Sequence, residues 1–388
     1  MSTHKEDRIR MRILHKLPTP YNDMFFRALY ASPEIDLQVY HLWHGSWRRP
    51  WKTALATGYP NQYMRLRAGV DWKLLWAAWK DRNSLFIIAD WGHLASLAVV
   101  FTRLLRKLPV ALWTDTPQEQ VNRSVLKKWL RRIFLIWLLP RYGVIFGTGK
   151  SALRVLAKMG ATQHQIVNLP CFVDLQQPQY AVQNYLTNIC AKDLRGLAGC
   201  SSDGVVFSLI GTLMSIKAQE IGIRAFAECR RHANQSIGLL IVGDGPDRIE
   251  LEKLVESLSL KSHVVFLGWQ EPHQMDAVYM ATDVVIHPAR QDPFPLVVLE
   301  AMAWSKVIIG SDVCGSIEER VNHGVNGFSF PVGDVDALAG IMVDLVNNPG
   351  KLATLGRSAR KTAEEWPVCR GVEIIVEQAR LLLSQISP

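Results

Sequence analysis

Residues 291–327, QDPFPLVVLEAMAWSKVIIGSDVCGSIEERVNHGVNG, decide how the chain is read. The stretch sets two carboxylates, Asp292 and Glu300, on either side of seven residues that pass from a loop into a helix. Pro293 and Pro295 forbid helix just before Leu296, while residues 296–302 form an apolar run, so Glu300 is expected about one turn inside a helix that opens on the loop. The N-terminus of such a helix offers free N–H groups to an anion. An apolar strand and then Gly315-Ser316-Ile317-Glu318 follow.

With 388 residues, 48% hydrophobic and 20% charged, the chain suits two globular domains of about 150 to 200 residues each. Its six cysteines (171, 190, 200, 229, 314 and 369) lie far apart and make no C-x-x-C pair. That disfavours a zinc site or disulfide framework and points to a reducing compartment. The polar start is unlike a signal peptide, and no run approaches the roughly 18 apolar residues of a membrane span. A cytoplasmic protein is expected, soluble or peripheral on the inner face of a membrane.

Charge is unevenly divided. Up to residue 175 there are 26 Lys and Arg against 11 Asp and Glu, a net of +15; the remainder has 18 against 24, a net of −6. A basic half attracts nucleic acid, an anionic membrane or a phosphorylated substrate. No nucleic-acid motif of defined spacing is present, so nucleic acid is not expected as a partner.

Residues 11–17, MRILHKL, read as a strand, followed after Pro18-Thr19-Pro20 by a helix over 23–30, the usual start of a doubly wound α/β domain. After a strand at 37–42 comes HGSWRRPWK. Trp43, Trp47 and Trp51, with Trp72, Trp76 and Trp79, suit a sugar-stacking surface or a membrane-interface belt. The helical spacing of the last three favours core packing instead, leaving Trp43 and Trp47 as the better acceptor-binding candidates. Strands at 85–89 and 109–113 end in Asp90-Trp91-Gly92-His93 and Thr114-Asp115-Thr116-Pro117. Asp115 is a candidate for touching substrate, with a loop or N-cap carboxylate as the alternative. His93 is a further acceptor candidate, or a structural histidine. Residues 126–139, LKKWLRRIFLIWLL, combine clustered cations with Trp129, Phe134 and Trp137; either a helix leaning on an anionic bilayer or a buried helix with one solvated end fits.

A strand at 144–148, a helix at 151–159 and a strand near 166–170 close the first domain, expected over 1–180. Residues 181–203 lack periodicity and read as a linker. The second domain is expected over 204–367, with the last helix, within 368–388, crossing back to the first. It opens with an apolar strand and Gly211-Thr212-Leu213-Met214-Ser215-Ile216-Lys217, where a lysine at the mouth of a loop can oppose a diphosphate. LLIVGDGPDRIELEKL supplies Gly243, and Gly268-Trp269 follows the next strand. Asp334-Val335-Asp336 reads as a helix-entry pair rather than a metal site.

These motifs together resemble the donor site of retaining glycosyltransferases of family 4, of the bacterial polysaccharide or lipid-linked glycan type. The likeness is strong over 204–366 and looser over 11–174. It implies an α/β GT-B fold, two Rossmann-like doubly wound domains facing a central cleft. It also implies a metal-independent hexosyltransferase of polysaccharide biosynthesis that moves a hexose, with UDP-glucose the first choice, from a nucleotide diphosphate sugar to a glycan or lipid-linked glycan acceptor. No cofactor is implied, the nucleotide sugar being a substrate. Glu300 would bind the ribose hydroxyls and Asp292 the donor sugar. Lys217 and the backbone between Phe294, Pro295, Leu296 and Val297 would hold the diphosphate, with Gly211 and Gly243 beneath it and Trp269 at the base. Thr212 replaces the family's arginine, for which Arg290 is a substitute, and Asp115 replaces a histidine, so that Asp292, Lys217 and Asp115 form the catalytic set. Asp292 itself stands for a glutamate. Those three departures motivate one alternative, a catalytically weak nucleotide-sugar-binding protein of the same fold; a nucleotide-sugar epimerase of similar fold is the other.

Overall fold

Apolar runs of a few residues alternate with amphipathic segments of helical length over much of the described chain, and most of these runs become a parallel strand followed by a helix. The computed structural model describes residues 8–44, 56–89, 92–115 and 125–385. Trp47, Trp51, Asp90, Trp91, Thr116 and Pro117 lie outside the described residues. The chain divides into two units, one of residues 1–170 with 368–388 and one of residues 171–367.

The first unit contains β1 (Ile9–His15), α1 (Pro20–Ala31), β2 (Ile35–His41), β3 (Asn61–Tyr63), α2 (Trp72–Lys80), β4 (Ser84–Ile88), α3 (Leu94–Leu105), β5 (Val110–Thr114), α4 (Val125–Leu138), β6 (Val144–Gly147), α5 (Gly149–Lys158) and β7 (Ile166–Asn168). Its strands pair in parallel in the order β3-β2-β1-β4-β5-β6-β7. One core joins Leu14, Phe86, Ile88, Val110, Leu112 and Ile145 of the sheet to Leu74 and Ala78 of α2, Val99 and Val100 of α3, Leu135 and Leu138 of α4 and Leu156 of α5. Each of the larger aliphatic and aromatic side chains contributes about 1.5–3 kcal/mol when fully buried.

Two expectations are corrected here. The helix after β1 begins at Pro20, capped by the Thr19 hydroxyl, which accepts from the Asn22 N–H at 3.3 Å, because proline's fixed φ and missing N–H suit the first helical position. Trp72, Trp76 and Trp79 do not pack in the core. They are exposed, because Leu74 and Ala78 occupy the inward side of α2.

The buried Arg103 of α3 ties the layer together. Its guanidinium donates to Ala78 O at 3.2 Å, Ser84 O at 2.5 Å and Pro109 O at 3.1 Å, and also to Asp81 O, joining the end of α2 to the starts of β4 and β5. Burial lowers the guanidinium to about 10, so it stays charged at neutral pH.

The second unit contains α6 (Gln177–Val182), α7 (Tyr185–Leu197), β8 (Val205–Ile210), α8 (Gln219–His232), β9 (Ile237–Val242), α9 (Arg248–Ser257), β10 (Val264–Gly268), α10 (Met275–Ala281), β11 (Val284–His287), α11 (Leu296–Ala303), β12 (Val307–Ser311), α12 (Gly315–Arg320), β13 (Phe328–Phe330), α13 (Val335–Asn347) and α14 (Gly350–Glu364). Its parallel strands run β10-β9-β8-β11-β12-β13, with nearly every strand residue from β8 to β12 buried or half-buried, as a sheet covered on both faces requires. The chain then returns as α15 (Val368–Ser384), which packs on α1 and β1 in the first unit.

The expected linker over 181–203 is corrected as well. Most of it is α7, which packs on α10 within the second unit. Arg195 fixes it, donating to Asp283 Oδ2 at 2.9 Å, Ala281 O at 2.9 Å and Gly204 O at 2.7 Å.

Replacing Arg103 with methionine leaves four carbonyls without their donor under α2. A loss of about 3 kcal/mol or more is expected, several charge-assisted hydrogen bonds being removed together. The shift of the urea unfolding midpoint, at unchanged slope, measures it.

Candidate functional site

In each sheet the strand order reverses once, between β1 and β4 and between β8 and β11. The carboxyl ends of strands beside such a reversal form the crevice where doubly wound sheets take ligands. In the second unit, Gly211 follows β8 and the Asp292 loop follows β11, so residues distant in sequence flank the same reversal.

Asp292 is the centre of this site. Its Oδ2 is paired with the Lys217 ammonium and lies 3.0 Å from His287 Nε2, with the histidine almost fully buried. Burial by itself would raise the Asp292 carboxyl, but the hydrogen bond from His287 and the charge of Lys217 outweigh it, and the group lies below the ordinary aspartate value of 3.8. Asp292 is therefore an ionised acceptor at neutral pH.

Lys217 ends a short 3-10 turn, Ser215–Lys217, after which Ala218 adopts a left-handed conformation (φ 53°) and α8 begins. A non-glycine residue there is strained. The strain is held by close packing, Ala218 being fully buried. Arg290 braces the turn: its N–H donates to Ile216 O at 2.9 Å, and its guanidinium donates to Ser215 O at 2.6 Å and to Glu220. Thr212 enters the loop through its carbonyl, which accepts from Gln219 Nε2 at 2.9 Å.

The neighbouring strand ends approach one another closely. Gly243 has φ 126°, and a Cβ on it would lie 2.1 Å from Gly211 O, so no larger residue fits without moving the first loop. Its N–H donates to Gly268 O at 2.8 Å. Trp269, next along, is half-buried and donates from Nε1 to Glu271 at 3.2 Å.

The Asp292 loop is held from behind by α12. The Gly315 N–H donates to Asp292 O at 3.1 Å, Ser316 Oγ donates to Pro295 O at 3.2 Å, and a Cβ on Gly315 would lie 1.9 Å from Pro293 O. Helix α11 starts at Leu296, with Pro295 at its cap and Phe294 buried. Pro295 has no N–H, so the donors of this stretch are Phe294, Leu296 and Val297. Glu300 is the fifth residue of α11. Its Oε2 accepts from the Tyr279 hydroxyl at 2.5 Å, and the Tyr279 ring stacks on Trp304 with centroids 5.8 Å apart. Burial raises the Glu300 carboxyl, and the hydrogen bond from Tyr279 offsets only part of the rise.

His287 and Tyr279 are the two residues that sequence reading missed. The signal for His287 was a polar residue closing the apolar strand five positions before Asp292; Tyr279 has no comparable sequence mark. Asp334 accepts from Ala337 N at 2.9 Å and caps α13.

In the first unit the remaining candidates follow other strand ends. Trp43 comes just after β2 and His93 caps α3, its Nδ1 accepting from Ala95 N at 3.2 Å; the two rings meet edge to face at 5.7 Å. Asp115 is exposed after β5 and accepts from Thr148 Oγ1 at 3.2 Å. Trp47 lies outside the described residues.

Residues 200–362 match the family described as Glycosyl transferases group 1. The chain is 31% identical over 179 residues to D-inositol 3-phosphate glycosyltransferase of Rhodococcus erythropolis, covering 44% of this chain and 40% of that one. It is 29% identical over 167 residues to N-acetyl-alpha-D-glucosaminyl L-malate synthase of Bacillus anthracis, covering 43% and 42%. The chain thus spans less than half the length of these curated relatives. Among solved structures, Anabaena HepE in complex with UDP superimposes with a TM-score of 0.77 at 18% identity, covering 95% of this chain and 99% of that one; its complex with UDP-glucose gives 0.71. The fold is therefore α/β with two parallel-sheet Rossmann-like domains, that of GT-B glycosyltransferase structures.

The raised Glu300 carboxyl gives a stability prediction with a definite sign. The folded chain holds that proton more tightly than the unfolded chain, so stability falls as pH rises from the ordinary glutamate value through the raised one, and the loss persists above it. Glu300→Gln removes the charge and keeps an acceptor for Tyr279. Its Tm at pH 8 should equal or exceed that of the wild type, with the difference shrinking toward pH 4; calorimetry at the two pH values checks this.

Proposed function

We propose that the protein is a retaining glycosyltransferase that moves a hexose from a nucleotide diphosphate sugar, UDP-glucose first among them, to a glycan or lipid-linked glycan acceptor in polysaccharide biosynthesis. The observation that carries this reading is the convergence of Lys217, Asp292 and His287 at the strand reversal, beside the N-terminus of α11. The match over residues 200–362 and the likeness to a UDP-glucose-bound fold support it.

In this reading Glu300 accepts the ribose hydroxyls and the loop beside Trp269 receives the base. The diphosphate lies over Gly211 and Gly243, where a side chain would obstruct it, and takes donors from Phe294, Leu296 and Val297. Binding draws the Lys217 ammonium from Asp292 toward the phosphates. His287 keeps its hold on Asp292, whose carboxylate turns to the hexose hydroxyls.

The bond from C1 to the phosphate oxygen breaks with its electron pair going to the phosphate, and the Lys217 charge and α11 N–H groups stabilise that oxygen. The acceptor oxygen bonds C1 on the face the phosphate leaves, and its proton passes to the departing phosphate. No protein nucleophile and no metal is invoked. Arg290 braces the Lys217 turn and Asp115 supplies an acceptor-side carboxylate. The tryptophan-bearing basic half suits a lipid-linked acceptor and a peripheral position on the inner membrane face.

Incubation with UDP-glucose and other nucleotide sugars tests the reading, through slow hydrolysis alone and faster transfer when acceptor is present. Lys217→Ala should lower turnover by about 10²- to 10³-fold, and Glu300→Ala should weaken UDP binding. Product of inverted anomeric configuration, or variants as active as wild type, would overturn it. Interconverted nucleotide sugars would mark an epimerase, and tight binding without turnover a binding protein.

His287 gives a separate expectation. His287→Ala should lower kcat and the affinity for the nucleotide sugar while affinity for UDP alone stays within about twofold, and His287→Asn, which retains a donor, should recover part of the loss. Isothermal titration with UDP and UDP-glucose distinguishes the two ligands.

A further inference from the structure

Three adjacent helices of the first unit carry apolar side chains on both sides. In α2 the core side is Leu74 and Ala78, yet Trp72 and Trp76, one turn apart, point the other way at 62% and 66% exposure. In α3, Val99 and Val100 face the core while Leu94 and Leu105 are exposed at opposite ends of the outer side. In α4, Leu135 and Leu138 face the core, whereas Trp129 and Ile133, again one turn apart, are exposed on the far side. A surface helix of a globular protein ordinarily keeps one apolar stripe and turns a polar face outward.

The three helices are neighbours. Helices α2 and α3 pack side by side, and Phe101 of α3 stacks on Trp137 of α4 with centroids 5.9 Å apart. The layer is held in place by Arg103 beneath it. Large exposed apolar side chains gathered on neighbouring helices mark an interaction site.

Charge selects the partner. Helices α2, α3 and α4 contain no Asp or Glu, while Lys73, Lys80 and Arg132 are exposed beside the tryptophans. Arg106 and Arg141 stand over the Trp79 and Trp137 rings at 4.7 and 4.0 Å. Asp71, at the start of α2, is turned inward to cap the helix. Two copies meeting through this face would oppose cation to cation. Tryptophan rings bordered by Lys and Arg match the boundary between anionic headgroups and acyl chains.

We propose that the outer layer formed by α2, α3 and α4 is a docking surface for an anionic phospholipid bilayer, with Trp72, Trp76, Trp129 and Ile133 entering the headgroup boundary and the surrounding cations pairing with lipid phosphates. This deepens the peripheral-membrane part of the proposed function and gives the surface three helices rather than one basic segment. Among the described residues no helix is long and apolar enough to cross a membrane.

The test is co-sedimentation of the full chain with phosphatidylglycerol–phosphatidylcholine vesicles and with phosphatidylcholine vesicles alone, at low salt and at about 0.5 M salt, where surface charges are screened within a few ångströms. Binding should require the anionic lipid, weaken with salt and move tryptophan emission to shorter wavelength. The double variants Trp72→Ser/Trp76→Ser and Trp129→Ser/Ile133→Ser should each bind about tenfold more weakly or worse, with unchanged Tm and unchanged hydrolysis of UDP-glucose in solution. Ile249→Ser, on the exposed face of α9 in the second unit, should bind as wild type.

Equal vesicle binding by the double variants and wild type, or no binding to anionic vesicles, would overturn the proposal. So would a concentration-dependent dimer, seen by light scattering, that the double variants abolish, which would assign the face to a second copy. The vesicle assay contains no nucleotide sugar. Vesicle binding without turnover would therefore remove the enzymatic reading and leave this surface, and turnover without vesicle binding would do the reverse.

Discussion

A nearly buried carboxylate held between a lysine and a histidine organises the second unit. Asp292 is reached by Lys217 from the loop after β8 and by His287 from the end of β11, so a single oxygen joins the two strands between which the sheet order reverses. Removing either partner leaves the buried charge less fully compensated, whereas the full set keeps it ionised. The left-handed Ala218, the Arg290 brace and the close seat of Gly315 on Pro293 all serve to place these three side chains.

Glu300 is built on the opposite principle. Among the described residues it has no cation partner and accepts from the Tyr279 hydroxyl, and its carboxyl is raised rather than lowered. A carboxylate that costs stability in the folded chain gains most from a ligand that brings paired hydroxyl donors. The site thus holds two carboxylates of contrasting character, one already neutralised by protein groups and one whose acceptor capacity is only partly used. Under the proposed function the first releases its lysine to the diphosphate and the second receives the ribose.

Much of this was legible in the sequence because it depends on local rules. Pro293 and Pro295 set where α11 begins, and the apolar runs set the strands. Lys217, Asp292 and Glu300 were singled out from spacing and family likeness. His287 and Tyr279 were not, since each is defined by the carboxylate its side chain meets, Asp292 and Glu300, and a single histidine or tyrosine at a strand or helix end looks like packing. The 181–203 segment differs from its reading as a linker for a related reason: α7 is fixed by its packing on α10 and by Arg195 reaching Asp283, a contact across 88 residues.

The tryptophans of α2 show the limit of periodicity as evidence. Spacing of 72, 76 and 79 establishes that the three rings share a helix face, but says nothing about whether that face looks inward. Leu74 and Ala78 have the same helical spacing one stripe over, and the smaller residues took the core because the β4–β5 region beneath is already filled by Phe86, Val110 and Leu112 and crossed by the Arg103 guanidinium. A large ring there would displace the guanidinium those buried carbonyls share. The packing of the inner side therefore forces the aromatic stripe outward, and the absence of acidic residues from all three helices gives that outward stripe one electrostatic sign.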